Sequence, residues 1–154
     1  MENSNTLTQS NSVCGHENFY TRATRITYAI LRVTAGLFFM QSGGVKLLGW
    51  FGGINGQGAT VELMSLIGVA GVLELVGGTM IALGLLTRPV AFLLSGEMAV
   101  AYFMGHFPNG FWPIQNQGLP AVLYCFIFLY IAAHGAGIFS LDRLIGCHRK
   151  KACS

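Results

Sequence analysis

The sequence predicts an all-α integral membrane protein, a four-helix bundle with both termini in the cytoplasm and no soluble catalytic domain. Three observations point there. The 154 residues are 53% hydrophobic and only 10% charged, too apolar for the surface of a water-soluble domain. The apolar residues fall into four long runs, each near the roughly 20 residues that one helical crossing needs. The basic residues gather at or near one end of those runs, which sets an orientation.

Residues 1–24 read as a disordered cytoplasmic tail. Met1 to Tyr20 is rich in Asn, Ser and Thr and lacks the apolar core of a cleavable signal peptide. The membrane domain is expected over residues 25–145. Its first span covers about 26–50, interrupted by Arg32, Gln41 and Lys46, and at about 1.5 Å per residue reaches about 36 Å. The second covers 63–86 with Glu74 as its single charge. Thr87-Arg88-Pro89 ends it, because proline cannot continue a preceding helix but suits the first turn of the next. The third span then covers 89–107. Residues 108–118 (PNGFWPIQNQG) form a loop whose Phe111 and Trp112 suit the headgroup zone. The fourth span covers about 119–141, and residues 146–154 form a basic cytoplasmic tail.

Arg22, Arg25, Arg32, Arg88, Arg143, Arg149, Lys150 and Lys151 lie at or near one side, and only Lys46 lies towards the other. The positive-inside rule therefore places both termini in the cytoplasm of a multi-pass inner-membrane protein. The formal charge of +3 comes from this juxtamembrane bias, so membrane lipid and not nucleic acid is the expected partner. Cys14, Cys125, Cys147 and Cys153 show neither CxxC nor metal-ligand spacing and are expected as ordinary thiols. No metal site is expected. His106 and His134 fall near opposite faces and cannot share a haem, and no span carries the Glu-x-x-His pair of a di-iron centre.

Counting from span ends at about 1.5 Å per residue puts Arg32 and Glu97 about 10 to 13 Å from the cytoplasmic edge. Glu74 falls nearer the middle and His134 in the inner half, with Lys46 and His106 near the outer edge. Such groups are costly in lipid unless paired or hydrated, so they should point inward and meet. Helical phase agrees with that: Ala70, Gly71, Gly77 and Gly78 surround Glu74, and Arg32, Gly36, Phe39, Gly43 and Lys46 share one face of the first span. The candidate polar seam is therefore Arg32, Glu74 and Glu97, with His134. It reads as a proton relay, a substrate pocket or a quinone headgroup site, against the alternative of a structural ion pair. One arginine neutralises only one of two glutamates, which favours function.

Three segments carry a resemblance: LRVTAGLFFMQSGGVKLLGW (31–50), GVLELVGGTMIALGLLTRPVAFLLSGEMAVAYFMGH (71–106) and SLDRLI (140–145). In these the sequence resembles the DoxX family of small bacterial membrane proteins, whose pattern falls on Arg32, Lys46, Glu74, Glu97, His106 and Asp142. The resemblance implies a four-helix inner-membrane protein acting as accessory subunit of a quinone-linked oxidoreductase system. A soluble or membrane oxidoreductase subunit would be its partner. No intrinsic cofactor is expected, and Arg32, Glu97 and His106 are the expected contacts of a bound quinone. The alternative is a non-enzymatic role, as a small transporter working as a homo-oligomer or as an assembly scaffold.

Overall fold

The computed structural model describes residues 4–145, with side chains from residue 19 onward. Its helices are α1 (Ser4–Leu48), α2 (Leu66–Leu83), α3 (Thr87–Ala101) and α4 (Leu119–His134). A 3-10 turn follows α1 at Trp50–Gly52. Beyond Ala101, α3 continues through a π turn, Tyr102–His106, and a 3-10 turn, Phe107–Asn109. Residues 141–145 form one further helical turn. Among the described residues the β pairing is a single isolated bridge between Gly53 and Ala59. Two helical stretches, Leu66–Leu83 and Thr87–Asn109, are long and apolar enough to cross a membrane, while α4 is apolar but shorter.

Several boundaries differ from the sequence expectation, and three of them bear on the site. The backbone from Ser4 to residue 24, expected to be a disordered tail, belongs to α1. No proline interrupts the chain before Leu48, and once the span has nucleated a helix each further residue adds a hydrogen bond for one residue fixed. Second, α2 stops at Leu83 and not at residue 86. Gly84 takes a left-handed conformation (φ 71°) and donates to the Ile81 carbonyl, closing the helix before the Thr-Arg-Pro turn is reached. Third, α4 ends at His134, because Gly135 (φ 89°) and Gly137 (φ 67°) break it seven residues short of the expected end at 141. The expected tail 146–154 lies outside the described residues.

The chain is two antiparallel hairpins side by side. In the first, α1 and α2 approach backbone to backbone. A Cβ on Gly36 would lie 2.7 Å from the Gly78 carbonyl oxygen, and one on Gly43 would lie 2.6 Å from that of Gly71. The glycines are seven residues apart on each helix, so both contacts fall on one seam, as small residues do where helices pack without a water-driven force. The second hairpin joins α3 to α4, with Ser95 Oγ donating to the Cys125 carbonyl at 2.8 Å. Between the hairpins, Leu94 packs over Gly77, and Phe39 meets Phe128 edge to face at 4.7 Å. Ile81, Ala91, Leu94, Phe128 and Ile131 are wholly buried, whereas Phe38, Leu37, Val76, Phe92, Val100 and Phe126 face outward. Bulky apolar side chains thus cover the outside and small ones the seam, the reverse of a water-soluble bundle.

Candidate functional site

The ionisable groups separate into two clusters at different levels of the bundle. Glycine pairing sets the register of the first hairpin, with Gly36 beside Gly78 and Gly43 beside Gly71. In that register Arg32 falls opposite Ala82, at the end of α2, and about 21 Å along α1 from Lys46. Arg32 is therefore remote from Glu74, and the seam expected from Arg32, Glu74, Glu97 and His134 is not one site. α1 has no end at Ile26, so distance from that residue does not fix where Arg32 lies against α2.

At the α2 end, Arg32 is 0% exposed and acts as a cap. Its Nη1 donates to the carbonyls of Ile81 (2.6 Å) and Ala82 (2.9 Å), and its Nη2 donates to that of Phe139 (2.7 Å). The Ile81 and Ala82 carbonyls belong to the last turn of α2, where carbonyls lack i+4 partners within the helix and a cation suits the helix dipole; Ile81 O also accepts from Gly84 N. Asp142 does the converse for α3. Its Oδ1 accepts from Leu86 N at 2.8 Å and its Oδ2 from Thr87 N at 3.0 Å, while its own N–H donates to Gly84 O. Burial pushes the Asp142 carboxyl up, but the Thr87 and Leu86 amides, the Thr87 hydroxyl and the Arg32 charge outweigh it and hold it below the usual value. Together the two residues pin the segment after α4 onto the α2–α3 turn.

His134 lies at this same end, its ring stacked on Tyr28 at 3.7 Å. The Tyr28 hydroxyl donates to Gly135 O at 2.5 Å. His106 belongs to the far end of α3, about 28 Å along the helix from Thr87, with Nδ1 3.0 Å from the Asn116 carbonyl oxygen. Arg32, Glu97 and His106 therefore cannot face one quinone headgroup together.

The second cluster, midway along the bundle, holds Lys46, Glu74 and Glu97. Lys46 Nζ is 2.5 Å from Glu74 Oε1, with the two side chains 25% and 3% exposed. The pair forms because helical side chains lean towards their own N-terminus. In antiparallel α1 and α2, Lys46 near the end of α1 leans to mid-bundle and Glu74 leans back towards it. Glu97 on α3 lies within electrostatic reach of both. Its two carboxyl oxygens are buried without a hydrogen-bond partner, as is Oε2 of Glu74. The one ammonium is bonded to Glu74, and three buried acceptors have no donor among the described residues. From the sequence Lys46 falls near the outer edge and outside the expected seam. Its position on the face of Gly36 and Gly43 was the available signal. Among the described residues no group of three or more His, Cys, Asp or Glu could hold a metal ion. Cys125 is a free thiol, and the other three cysteine side chains fall outside the described ones.

No solved structure matches the chain. An uncharacterized protein of Haemophilus influenzae is 44% identical over 118 residues, covering 74% of this chain and 87% of that protein. Residues 27–107, which contain the lysine and both glutamates of the central cluster, match the DoxX family. With those residues on the glycine seam and its flanking helix, the chain belongs to the DoxX family.

Proposed function

We propose that the chain is a multi-pass protein of the bacterial inner membrane, crossing four times with both termini in the cytoplasm. In this reading it is an accessory subunit of a quinone-linked oxidoreductase system, and Glu97 exchanges protons there. The outward apolar surface supports the lipid setting. Arg22, Arg25, Arg88 and Arg143 at one end, with Lys46 towards the other, support the orientation. The observation that carries the functional reading is Glu97, a buried carboxyl group with neither oxygen hydrogen-bonded.

An isolated ionised carboxylate is very costly in a low-dielectric interior. Charge balance in the cluster is met by Lys46, one carboxylate and one proton held on the other carboxyl. Lys46 is bonded to Glu74, so the transferable proton belongs to Glu97. Gly96, its neighbour on α3, is exposed, and a Cβ there would meet nothing within 4 Å, so the outer face of α3 next to the cluster is open to the surroundings. A bound quinone would supply two-electron, two-proton chemistry. Glu97 would be the residue of this chain that holds and passes on a proton, beside the fixed Lys46–Glu74 ion pair. Arg32 and His106, engaged elsewhere, take no part.

The test is purification of the full chain in mild detergent, extraction for quinone and identification of co-purifying subunits. Quinone in the wild type, depleted several-fold in Glu97→Gln with helicity unchanged, is the expected result. Absence of both quinone and any co-purifying oxidoreductase would overturn the reading. The second reading is proton-coupled transport by a homo-oligomer, favoured by the division of the bundle into two hairpins that each pack more closely within themselves than with each other. Proton flux into liposomes that depends on Glu97, without quinone, would support it over the first.

A further inference from the structure

We propose that the cytoplasmic end of the bundle holds a specific site for one anionic phospholipid, with the headgroup phosphate between Arg25 and Arg143 and an acyl chain along Leu31 and Tyr130. The site rests on the four-crossing orientation proposed above and is independent of Glu97. A polar cavity of about 320 Å³ is lined by Arg25, His134 and Arg143, with Gly137, Ile138 and Tyr28. Neither Arg25 nor Arg143 has an ion pair or hydrogen bond among the described residues. Among the described residues no carboxylate lines the cavity.

A second cavity of about 330 Å³ adjoins it across Tyr28 and runs between α1 and α4, with Thr27, Leu31 and Tyr130 in its wall. This neighbour is mainly apolar. The groove extends along α1 from Tyr20, on the tail side of Arg25, to Leu31 and Tyr130, so only its inner part lies deeper than the arginines. Arg25 lies about 10 Å before Arg32 on α1, beyond the end of α2 and so at headgroup level, and Leu31 lies just inside it. Tyr28 divides the cavities and is held rigidly by its stacking on His134 and its bond to Gly135 O. Gly137 is required beside it, since a Cβ there would come within 2.8 Å of the Tyr28 ring. Two arginines can present a fork of donors to a phosphate, which a zwitterionic lipid would meet with its own cation.

Native mass spectrometry of the full chain in detergent tests this with phosphatidylglycerol, phosphatidylethanolamine and inorganic phosphate as probes. Phosphatidylglycerol should be preferred. At about fivefold per arginine, Arg25→Gln with Arg143→Gln should weaken it by about 25-fold, whereas Arg22→Gln, outside the cavity, should change it less than about twofold. Thr27→Trp, which fills the apolar groove, should weaken the lipid several-fold and leave phosphate unaffected. Equal binding of the two lipids, or equal losses in the cavity and Arg22 variants, would overturn the proposal. Phosphate competing as strongly as the lipid would also overturn it, in favour of a soluble anion. A chain that stays in solution without detergent would instead overturn the membrane reading itself. Circular dichroism and thermal melting of each variant separate loss of binding from loss of fold.

Discussion

Replacing Lys46 by methionine removes the only cation of the central cluster and keeps the length of the side chain. In the native protein Nζ is 2.5 Å from Glu74 Oε1, on a glutamate that is 3% exposed. Removing one partner of a buried pair costs about 3 to 5 kcal/mol, because the other charge is left in a medium that does not solvate it. A quarter of the Lys46 side chain is exposed, which puts the expected cost at the lower limit, about 3 kcal/mol. Adding Glu74→Gln removes the stranded charge and should recover about 2 kcal/mol of that loss, since replacement of both partners is close to neutral. Glu97→Gln alone should stay within about 1 kcal/mol of the wild type, because that carboxyl has no bonded partner to lose. The assay is unfolding in mixed micelles by titration with sodium dodecyl sulfate, read by far-ultraviolet circular dichroism. A coupling below about 0.5 kcal/mol between positions 46 and 74 would refute a direct charge pair. A Glu97→Gln loss as large as that of Lys46→Met would refute the unpartnered state of Glu97.

Three further variants test the architecture. Gly78→Val should destabilise by about 1 to 3 kcal/mol, since its Cβ would press on backbone atoms of Gly36 and Met40. Gly96→Ala, with nothing within 4 Å, should be neutral or gain up to about 1 kcal/mol from helix propensity in the same unfolding assay. Asp142→Ala should cost about 1 kcal/mol, as loss of a helix N-cap does. The native Asp142 carboxyl is held below its usual value, so its contribution is complete above about pH 3.9 and disappears as pH falls through the folded-state value. Acid unfolding of the wild type should therefore converge with that of Asp142→Ala, and a constant gap down to pH 2 would show that Asp142 does not act as an ionised cap.

Apolar run length, the Thr-Arg-Pro turn and the glycine faces of the first two spans made the helices and their packing sides legible in the sequence alone, whereas which helix meets which was not. Helix ends were less legible. Gly84 and Gly135 stop α2 and α4 by adopting positive φ, but a glycine inside an apolar run looks the same whether it packs a seam, as Gly78 does, or ends a helix. Those ends changed the candidate site, because a helix that stops at Leu83 exposes carbonyls at Ile81 and Ala82 and draws Arg32 to them.

Setting, helix content and the inward direction of the charged residues follow from the sequence by itself, because hydrophobicity and the 3.6-residue period are local properties of a chain. Partner choice among those charges was decided only by tertiary structure. Backbone contact at Gly36–Gly78 and Gly43–Gly71 sets the sliding register of α1 on α2, and a shift of one turn moves a side chain about 5.4 Å. That register gives Glu74 to Lys46 and Arg32 to the end of α2, leaving Glu97 buried with no hydrogen-bond partner at either oxygen.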